Sequence, residues 1–393
     1  MTEIPPRTAD IIIIGGGIIG TCTAFFLREL GFTGRVLVLE RDMTFQFAAT
    51  TRSAAGIRQQ FTLPLNARMS QFGVAFMRSL PQRWGADGEI GLTENGYLLV
   101  ADAAGEATLR ANYAGIVAEG ADVALFDPAA LAARFPWLHT ADLRCGTLGL
   151  SGEGWFDAHL FLAAVRRGAK AAGIEYLQAE AAGIEGTATH ATGVRLTTGE
   201  VIGCATVVTA AGPHSGALAA TWGAILPVVP RKRTVFVVRT PLDGTTMPML
   251  FDPSGVWIRP EGNTFVCGIQ PPADRDPHPG TDFEPDHDLF EEFVWPALAH
   301  RIPAMEQLRV TSAWAGHYEV NLLDHNGVVG PDTARPNVIY ATGFSGHGVM
   351  HAPATGRAVA ELVVHGAYRA LDLSPLGFGR IARNAPILES TVY

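Results

Sequence analysis

Paired cysteines, an excess of basic charge and a long uninterrupted apolar run are all missing from this sequence. Its four cysteines, Cys22, Cys145, Cys204 and Cys267, lie far apart with no CxxC spacing. That pattern argues against a zinc or disulfide framework and fits a reducing compartment, here expected to be the cytoplasm. Acidic side chains outnumber basic ones, 38 to 29, for a formal charge of −9. A field of that sign repels a polyanion and leaves no footprint for nucleic acid. The one dense basic cluster is Arg231-Lys232-Arg233. At the N-terminus, MTEIPPRTAD places acids and prolines where a secretory signal needs a basic start and an apolar core. His325 and His351 stand in no metal-ligand spacing, so no metal is expected. Internal repeats and low-complexity tracts are absent as well.

What is present is a compact, turn-rich composition: 48% hydrophobic and 17% charged residues, with 44 glycines and 25 prolines. A chain of 393 residues exceeds the usual span of one domain, roughly 100–200 residues, so two domains or one large one are expected.

The apolar stretch ADIIIIGGGIIGTCTAFFLREL raises the choice between a membrane span and a nucleotide site. It is about as long as the shortest spanning helix, and glycines break it, so no transmembrane segment is expected. Ile11 to Ile14 instead read as a strand buried on both faces. Gly15, Gly17 and Gly20 match GxGxxG, a helix follows until Gly31, and a second strand, RVLVLE, ends at Glu40. Such glycines permit a tight turn and close backbone approach to pyrophosphate, while the helix start offers N–H groups and a favourable dipole. Glu40, twenty residues beyond Gly20, stands where an acid binds the ribose hydroxyls of an adenosine.

Further along, RDMTFQFAATTRSAAGIRQQF is rich in small and hydroxyl residues, which lets a backbone run against a ligand. Residues from about 85 to 150 mix a strand, NGYLLVA, with helical segments and lack a βαβ rhythm. Asp157 reads as a helix cap, and ATVVTAAGPHS holds a buried strand ending in Ala-Ala-Gly. The runs TVFVV, GVWIRP and NTFVCGI suggest an antiparallel sheet, followed by a Pro/Asp-rich loop at 271–288 and a helix around 286–301. NVIYATGFSGHGVMHAPATGRAVAELVVHG gives a strand, a glycine-rich turn and a helix to about His365. GFSGHG is no hydrolase nucleophile elbow, since GxSxG needs glycine where His347 stands.

With these segments in place, the chain resembles the FAD-dependent D-amino acid oxidase, glycine oxidase and sarcosine oxidase superfamily. The resemblance rests on DIIIIGGGIIGTCTAFFL with LVLERD, on VVTAAGPHS and on VIYATGFSGHGVMHAPATG. Within it, TTRSAAGIRQQF, GHYEVNLLDHNGVVG and GFSGHGVMHAP look like the branch of the FAD-dependent oxidoreductase domain proteins and iminodiacetate-type oxidases. The implied fold is an α/β FAD-binding domain, Rossmann-like and of the glutathione-reductase type, plus an α+β substrate domain with a mainly antiparallel sheet. The expected division is 1–84, 150–225 and 316–393 for the cofactor domain and 85–149 and 226–315 for the substrate domain.

The resemblance implies FAD as cofactor, with its isoalloxazine ring at the domain boundary. Beside Gly15, Gly17, Gly20 and Glu40, it assigns Ile18, Ile19, Arg41, Ala181, Ala211, Gly212 and Gly343 to the cofactor. Thr51, Arg52, Ser53 and Ala54 fall on the cofactor-approach segment. Backbone N–H groups of Gly346, His347, Gly348, Val349 and Met350 are expected at the pyrimidine edge of the flavin, where reduced flavin carries negative charge. Arg58 aligns with an active-site arginine beside the flavin.

Departures from the sarcosine oxidases matter too. Phe61 and Met350 replace their carboxylate-clamping arginine and lysine, Val266 their oxygen-activating lysine, and Gly316 their flavin-tethering cysteine. Glycine oxidase's carboxylate arginine falls near Tyr318. The flavin is therefore expected to be noncovalent. Since a buried carboxylate needs a cation, Arg259 is the first candidate, with Arg233, Tyr318 and His317 behind it. Arg58, Arg259, Tyr318 and His347 make up the expected catalytic set.

The expected reaction is oxidation of a small amino acid, a secondary amine or N-substituted glycine, by hydride transfer to flavin N5. The imine then hydrolyses, and O2 is reduced to H2O2. Two alternatives stay open: an amino or hydroxy acid dehydrogenase passing electrons to a quinone or protein, and a flavin-bound assembly factor without turnover. The sequence does not fix the oligomeric state.

Overall fold

The computed structural model describes residues 7–389. Residues 1–6 and 390–393, which close the two ends of the expected cofactor domain and begin MTEIPPRTAD, lie outside the described residues.

The strand Thr8–Ile14 forms the middle of the first sheet, parallel to Val36–Glu40 on one side and Val201–Thr209 on the other. Side chains alternate across a strand, and here both faces are covered. Ile11 and Ile13 join a core with the helices, while Ile12 and Ile14 join another beneath the meander Ala181–Gly186 and Ala191–Leu196. Glu175–Gln178 and Val338–Thr342 extend the parallel part outward, and Val328–Pro331 pairs antiparallel at one edge. Helices Ile18–Glu29, Pro64–Trp84, Ala158–Ala171 and Gly348–His365 cover the first face. Asp157 caps the third of these, accepting from Leu160 N at 2.9 Å.

A second eight-stranded sheet runs Arg309–Asn321, Val228–Arg239, Thr264–Ile269, Val256–Glu261, Met249–Phe251, Tyr97–Ala101, Cys145–Gly149 and Val123–Phe126. All neighbours are antiparallel except Met249–Phe251 with Tyr97–Ala101. Phe236, Leu250 and Ile258 from its strands meet Phe290, Val294, Leu298 and Ile302 in one core. The helix expected around 286–301 is a π-helical turn, Phe290–Val294, that runs into Trp295–Arg301. Pro296 has no N–H to donate back into that turn, and a widened turn accommodates the loss.

Gly56–Ile57 and Gly154–Trp155 form a separate antiparallel pair, and Val320 of the second sheet bridges to Phe344, two residues beyond Val338–Thr342 of the first. The strand Arg309–Asn321 stays paired with Val228–Arg239 along its whole length, so the expected boundary at 315/316 falls inside a strand. All four cysteines are unpaired thiols. Among the described residues, no helix is long and apolar enough to cross a membrane.

Candidate functional site

The end of Thr8–Ile14 meets the start of Ile18–Glu29 at a turn that only glycine fits. Gly15 has φ +101°, and a Cβ there would lie 2.2 Å from Ala210 O; one on Gly20 would lie 2.0 Å from Gly15 O. Gly15 thus permits the turn, and Gly20 permits helix and strand to pack. Gly17 stands at the helix N-cap and, being glycine, brings no side chain of its own to the first N–H groups. Ile18 N donates to Thr50 Oγ1 at 3.1 Å. At the next strand end, Glu40 accepts from Gly16 N at 2.8 Å and from Asp42 N at 2.9 Å.

These groups border a cavity of about 380 Å³. Gly15, Gly17, Ile18 and Ile19 line it with Glu40, Arg41 and Ser53. From farther along the chain come Ala181, Ala211, Gly212, Gly346, Gly348 and Val349. The glycine-rich turn brings the start of Gly348–His365 to this wall: Gly346, at φ +102°, lets the backbone pass so close that a Cβ would lie 2.6 Å from the Tyr318 ring.

The remaining residues expected at the cofactor stand elsewhere. Gly20 and Gly343 line neither this cavity nor the smaller one beside it; their lack of a side chain serves packing, against Gly15 O and Val228 respectively. Thr51 turns its hydroxyl to the carbonyls of Phe45 and Ala48, and the neighbouring Thr50 lines the cavity instead. Arg52 is occupied in tying the loop to the second sheet. It donates to Gln46 O and Ala315 O at 2.9 and 2.8 Å and lies over Phe47 and Phe283. With Ala54, His347 and Met350, it lines a second, smaller cavity.

Sequence reasoning missed several wall residues of the large cavity. Thr50 differs from the expected hydroxyl by one position. His214 receives Arg41 Nη2 at 2.9 Å, and burial together with Arg41 pushes its pKa down to about 4, so it is neutral near pH 7. Glu319 is buried, accepts from Thr342 Oγ1 at 2.7 Å, and has its pKa raised by burial. Its signal in the sequence was a lone acid among the buried positions of GHYEVN.

The smaller cavity, about 90 Å³, shares Ala49, Ser53, His317, Tyr318, Gly346 and Val349 with the larger one. Arg58 lines it and is 3% exposed. Its Nη2 donates to His347 Nε2 at 3.3 Å, its guanidinium lies 4.6 Å over the Phe61 ring, and its buried Nε has no partner. Burial first, and Arg58 second, hold the His347 pKa well below the usual histidine value. The ring is therefore neutral, and with Nε2 accepting, its proton sits on Nδ1. His351, beside Ser70 Oγ at 3.2 Å, is pushed down to about 3 by burial and then Arg58.

Of the other candidates, Tyr318 lines both cavities, with its phenol pKa raised by burial. His317 lines both as well, but it stacks on Phe283 at 3.9 Å and meets Asp282 O at 2.6 Å, and its pKa is lowered chiefly by burial. Arg233 reaches the smaller cavity already neutralised by Asp276, at 2.7 and 3.0 Å. Arg259, expected first for a carboxylate, lines neither cavity. Its Nε donates to Ala54 O and its Nη1 to Pro260 O and the Glu261 carboxylate. Among the described arginines that line the smaller cavity, Arg58 is the one with a buried donor left unpartnered.

Away from both cavities, the fold gathers His139, Asp142 and His300, whose ligand atoms lie within 4.8 Å of one another. Arg301 already holds both oxygens of Asp142, each at 2.8 Å.

Comparison with known proteins agrees with this architecture. The family model described as FAD dependent oxidoreductase matches residues 10–362. The chain belongs to this family. A bovine (Bos taurus) relative, FAD-dependent oxidoreductase domain-containing protein 1, is 40% identical over 418 residues, covering 96% of this chain and 86% of its own. The solved L-proline dehydrogenase from P. horikoshii superposes with a TM-score of 0.87 at 26% identity, over 97% of this chain and all of that one. Glycine oxidase from Geobacillus kaustophilus gives 0.80 at 25% identity, over 94% and 98%. Iminodiacetate oxidase from Chelativorans sp. BNC1, at 18% identity and a TM-score of 0.79, shares the fold. The protein is thus an FAD-dependent oxidoreductase of the glycine and sarcosine oxidase type, and FAD is its cofactor. The glycine turn, the two helix starts without a side-chain cap and Glu40 around the larger cavity have the chemistry this cofactor needs.

Proposed function

We propose that the protein oxidises a small amino acid, a secondary amine or N-substituted glycine, whose carboxylate binds Arg58. One observation carries this reading: a guanidinium buried at the smaller cavity with its Nε unpartnered. A buried donor left without an acceptor is costly, and a ligand carboxylate would supply the missing one. The cavity size favours a small substrate, and Tyr97, Met249, Phe251 and Trp257 give it apolar walls.

In this reading, the larger cavity would hold FAD, which when bound would supply an acceptor for the hydride of the carbon between amine and carboxylate. Gly15, Gly17 and Ile18 would hold its pyrophosphate, Glu40 its ribose, and the turn 346–350 its flavin. His347 stays neutral and fixes the Arg58 guanidinium by accepting from Nη2. Tyr318 walls the junction of the two cavities and limits water there. The substrate amine binds neutral, so no separate base is assigned, and the imine product hydrolyses after release.

A noncovalent flavin is part of the proposal. Among the described residues, no cysteine lines either cavity, and at Gly316 a Cβ would lie 2.8 Å from Arg52 Cβ. Reoxidation by O2 with release of H2O2 is the first reading. A second, transfer to a quinone or protein acceptor, is favoured by the lack of any lysine among the described residues lining the cavities. The four unpaired thiols support a reducing, cytoplasmic location. The proposed division gives the first sheet to the cofactor domain and the second to the substrate domain, with the expected 315/316 boundary moved past Asn321.

The test is anaerobic mixing of the FAD-bound protein with N-substituted glycines, D-amino acids and hydroxy acids, followed by air. Bleaching by a secondary amino acid supports the proposal; recovery with peroxide in air supports the oxidase, and no recovery supports another acceptor. A flavin that no substrate bleaches supports the assembly-factor alternative.

A further inference from the structure

The two residues that follow Arg58 in the chain, Gln59 and Gln60, bind a carboxyl group that the reaction does not use. Glu153 is fully buried. Its Oε1 accepts from Gln59 N at 2.6 Å and Gln60 N at 3.1 Å, and its Oε2 from Gln60 Nε2 at 2.8 Å. Gln60 is itself fixed, donating to Tyr97 O at 3.0 Å and accepting from Thr147 Oγ1 at 2.6 Å. Gly149 makes the room, since a Cβ there would lie 2.0 Å from Oε2. The two residues that follow Arg58 in the chain are therefore clamped by one carboxyl group from the segment before Gly154–Trp155.

We propose that Glu153 is a positioning residue for Arg58 and its through-space counter-charge, so that a carboxylate binding at Arg58 is coupled to uptake of a proton by Glu153. This rests on the reading of Arg58 as the carboxylate anchor.

The physical argument has two parts. Three N–H donors and the nearby Arg58 charge favour the ionised form of Glu153, while burial opposes it more strongly and pushes its pKa up to about 7. A second carboxylate arriving at Arg58 neutralises the cation that helps keep Glu153 ionised and adds a like charge nearby. The Glu153 pKa then rises further, and by linkage the ligand binds more weakly wherever Glu153 is ionised beforehand. Other groups facing this point do not titrate in the same range. Tyr97 is raised by burial, His347 and His351 are held neutral, and Glu94 turns to Arg78.

The test uses the FAD-bound protein and acetate, which stays ionised through the range needed. Acetate affinity is read from the visible flavin spectrum, and proton uptake from calorimetry in two buffers of different ionisation heat. For the wild type, affinity should fall as pH rises through about 7, by several-fold and up to about tenfold per unit of induced pKa shift. Up to about one proton should be taken up per acetate above that pH and none well below it. Glu153→Gln should abolish both the proton uptake and the slope. Glu153→Ala, which removes the clamp, should bind acetate weakly at every pH.

A wild-type protein that binds acetate with no proton uptake between about pH 7 and 8 overturns the inference. So does a Glu153→Gln protein that keeps the wild-type slope. If Arg58→Met binds acetate as the wild type does, the Arg58 anchor itself is wrong, and the coupling falls with it.

Discussion

Arg58 donates through Nη2 to His347 Nε2 across 3.3 Å, joining the segment that follows the first cofactor loop to the start of the last long helix. Both residues are buried, and the pair carries a single positive charge because the imidazole is neutral. That charge faces a cavity too small for much more than an amino acid.

Replacing Arg58 tests the pair directly. Arg58→Met should leave the flavin bound and raise the KM for a carboxylate substrate by about two orders of magnitude, the effect of losing a buried charge-assisted hydrogen bond. Arg58→Lys should recover only part of this, because an ammonium group lacks the planar fork that reaches both His347 and a ligand. Steady-state kinetics on the two variants check it.

Acid should unfold the protein earlier than its net charge alone implies. His347 and His351 have folded pKa values far below the unfolded value, His351 at about 3. Each therefore stabilises fully above about pH 6.5, and that contribution is lost as pH falls toward the folded pKa. Stability should drop by roughly 1 kcal/mol per pH unit per histidine below about pH 6. Denaturant melts at several pH values, with His351→Gln showing a shallower slope, check this.

The cofactor turn offers a separate test. Gly15→Ala would place its Cβ 2.2 Å from Ala210 O, so this variant should purify with little or no flavin. Glu40→Ala should fold and bind FAD about tenfold more weakly, the scale of one lost hydrogen bond to a charged group. Fluorescence titration of the stripped proteins with FAD separates the two effects.

Arg380, which lines neither cavity, anchors the C-terminal segment. It is 4% exposed and donates to the fully buried Asp324 at 2.8 and 3.1 Å and to Asn326 O and Gly327 O. Arg380→Ala leaves Asp324 uncompensated and should cost about 3–5 kcal/mol of stability, measurable by urea unfolding.

The strand, glycine turn, helix and terminal acid between Thr8 and Glu40 were legible in the sequence because each is a local pattern with a local cause. Thr50 in place of Thr51 shows the limit. In an irregular loop no periodicity states which of two adjacent threonines faces the ligand. Arg259 failed for another reason. Its type and strand position were right for a carboxylate anchor, but Ala54 O, 205 residues away in the chain, takes its Nε. The value of Arg58 is likewise a matter of what it lacks, an acceptor at its buried Nε, and only the packed structure shows that. Glu153 and Glu319 gave signals as acids in apolar surroundings, without indicating what they would meet.

The most direct test of the account compares anaerobic flavin bleaching by N-methylglycine, and by other N-substituted glycines, with that by amines of similar size lacking the carboxylate. The account predicts fast bleaching by at least one carboxylate-bearing secondary amine, little by its carboxylate-free counterpart, and loss of the difference in Arg58→Met. Equal bleaching by both classes, or an Arg58→Met protein that still discriminates between them, would contradict it.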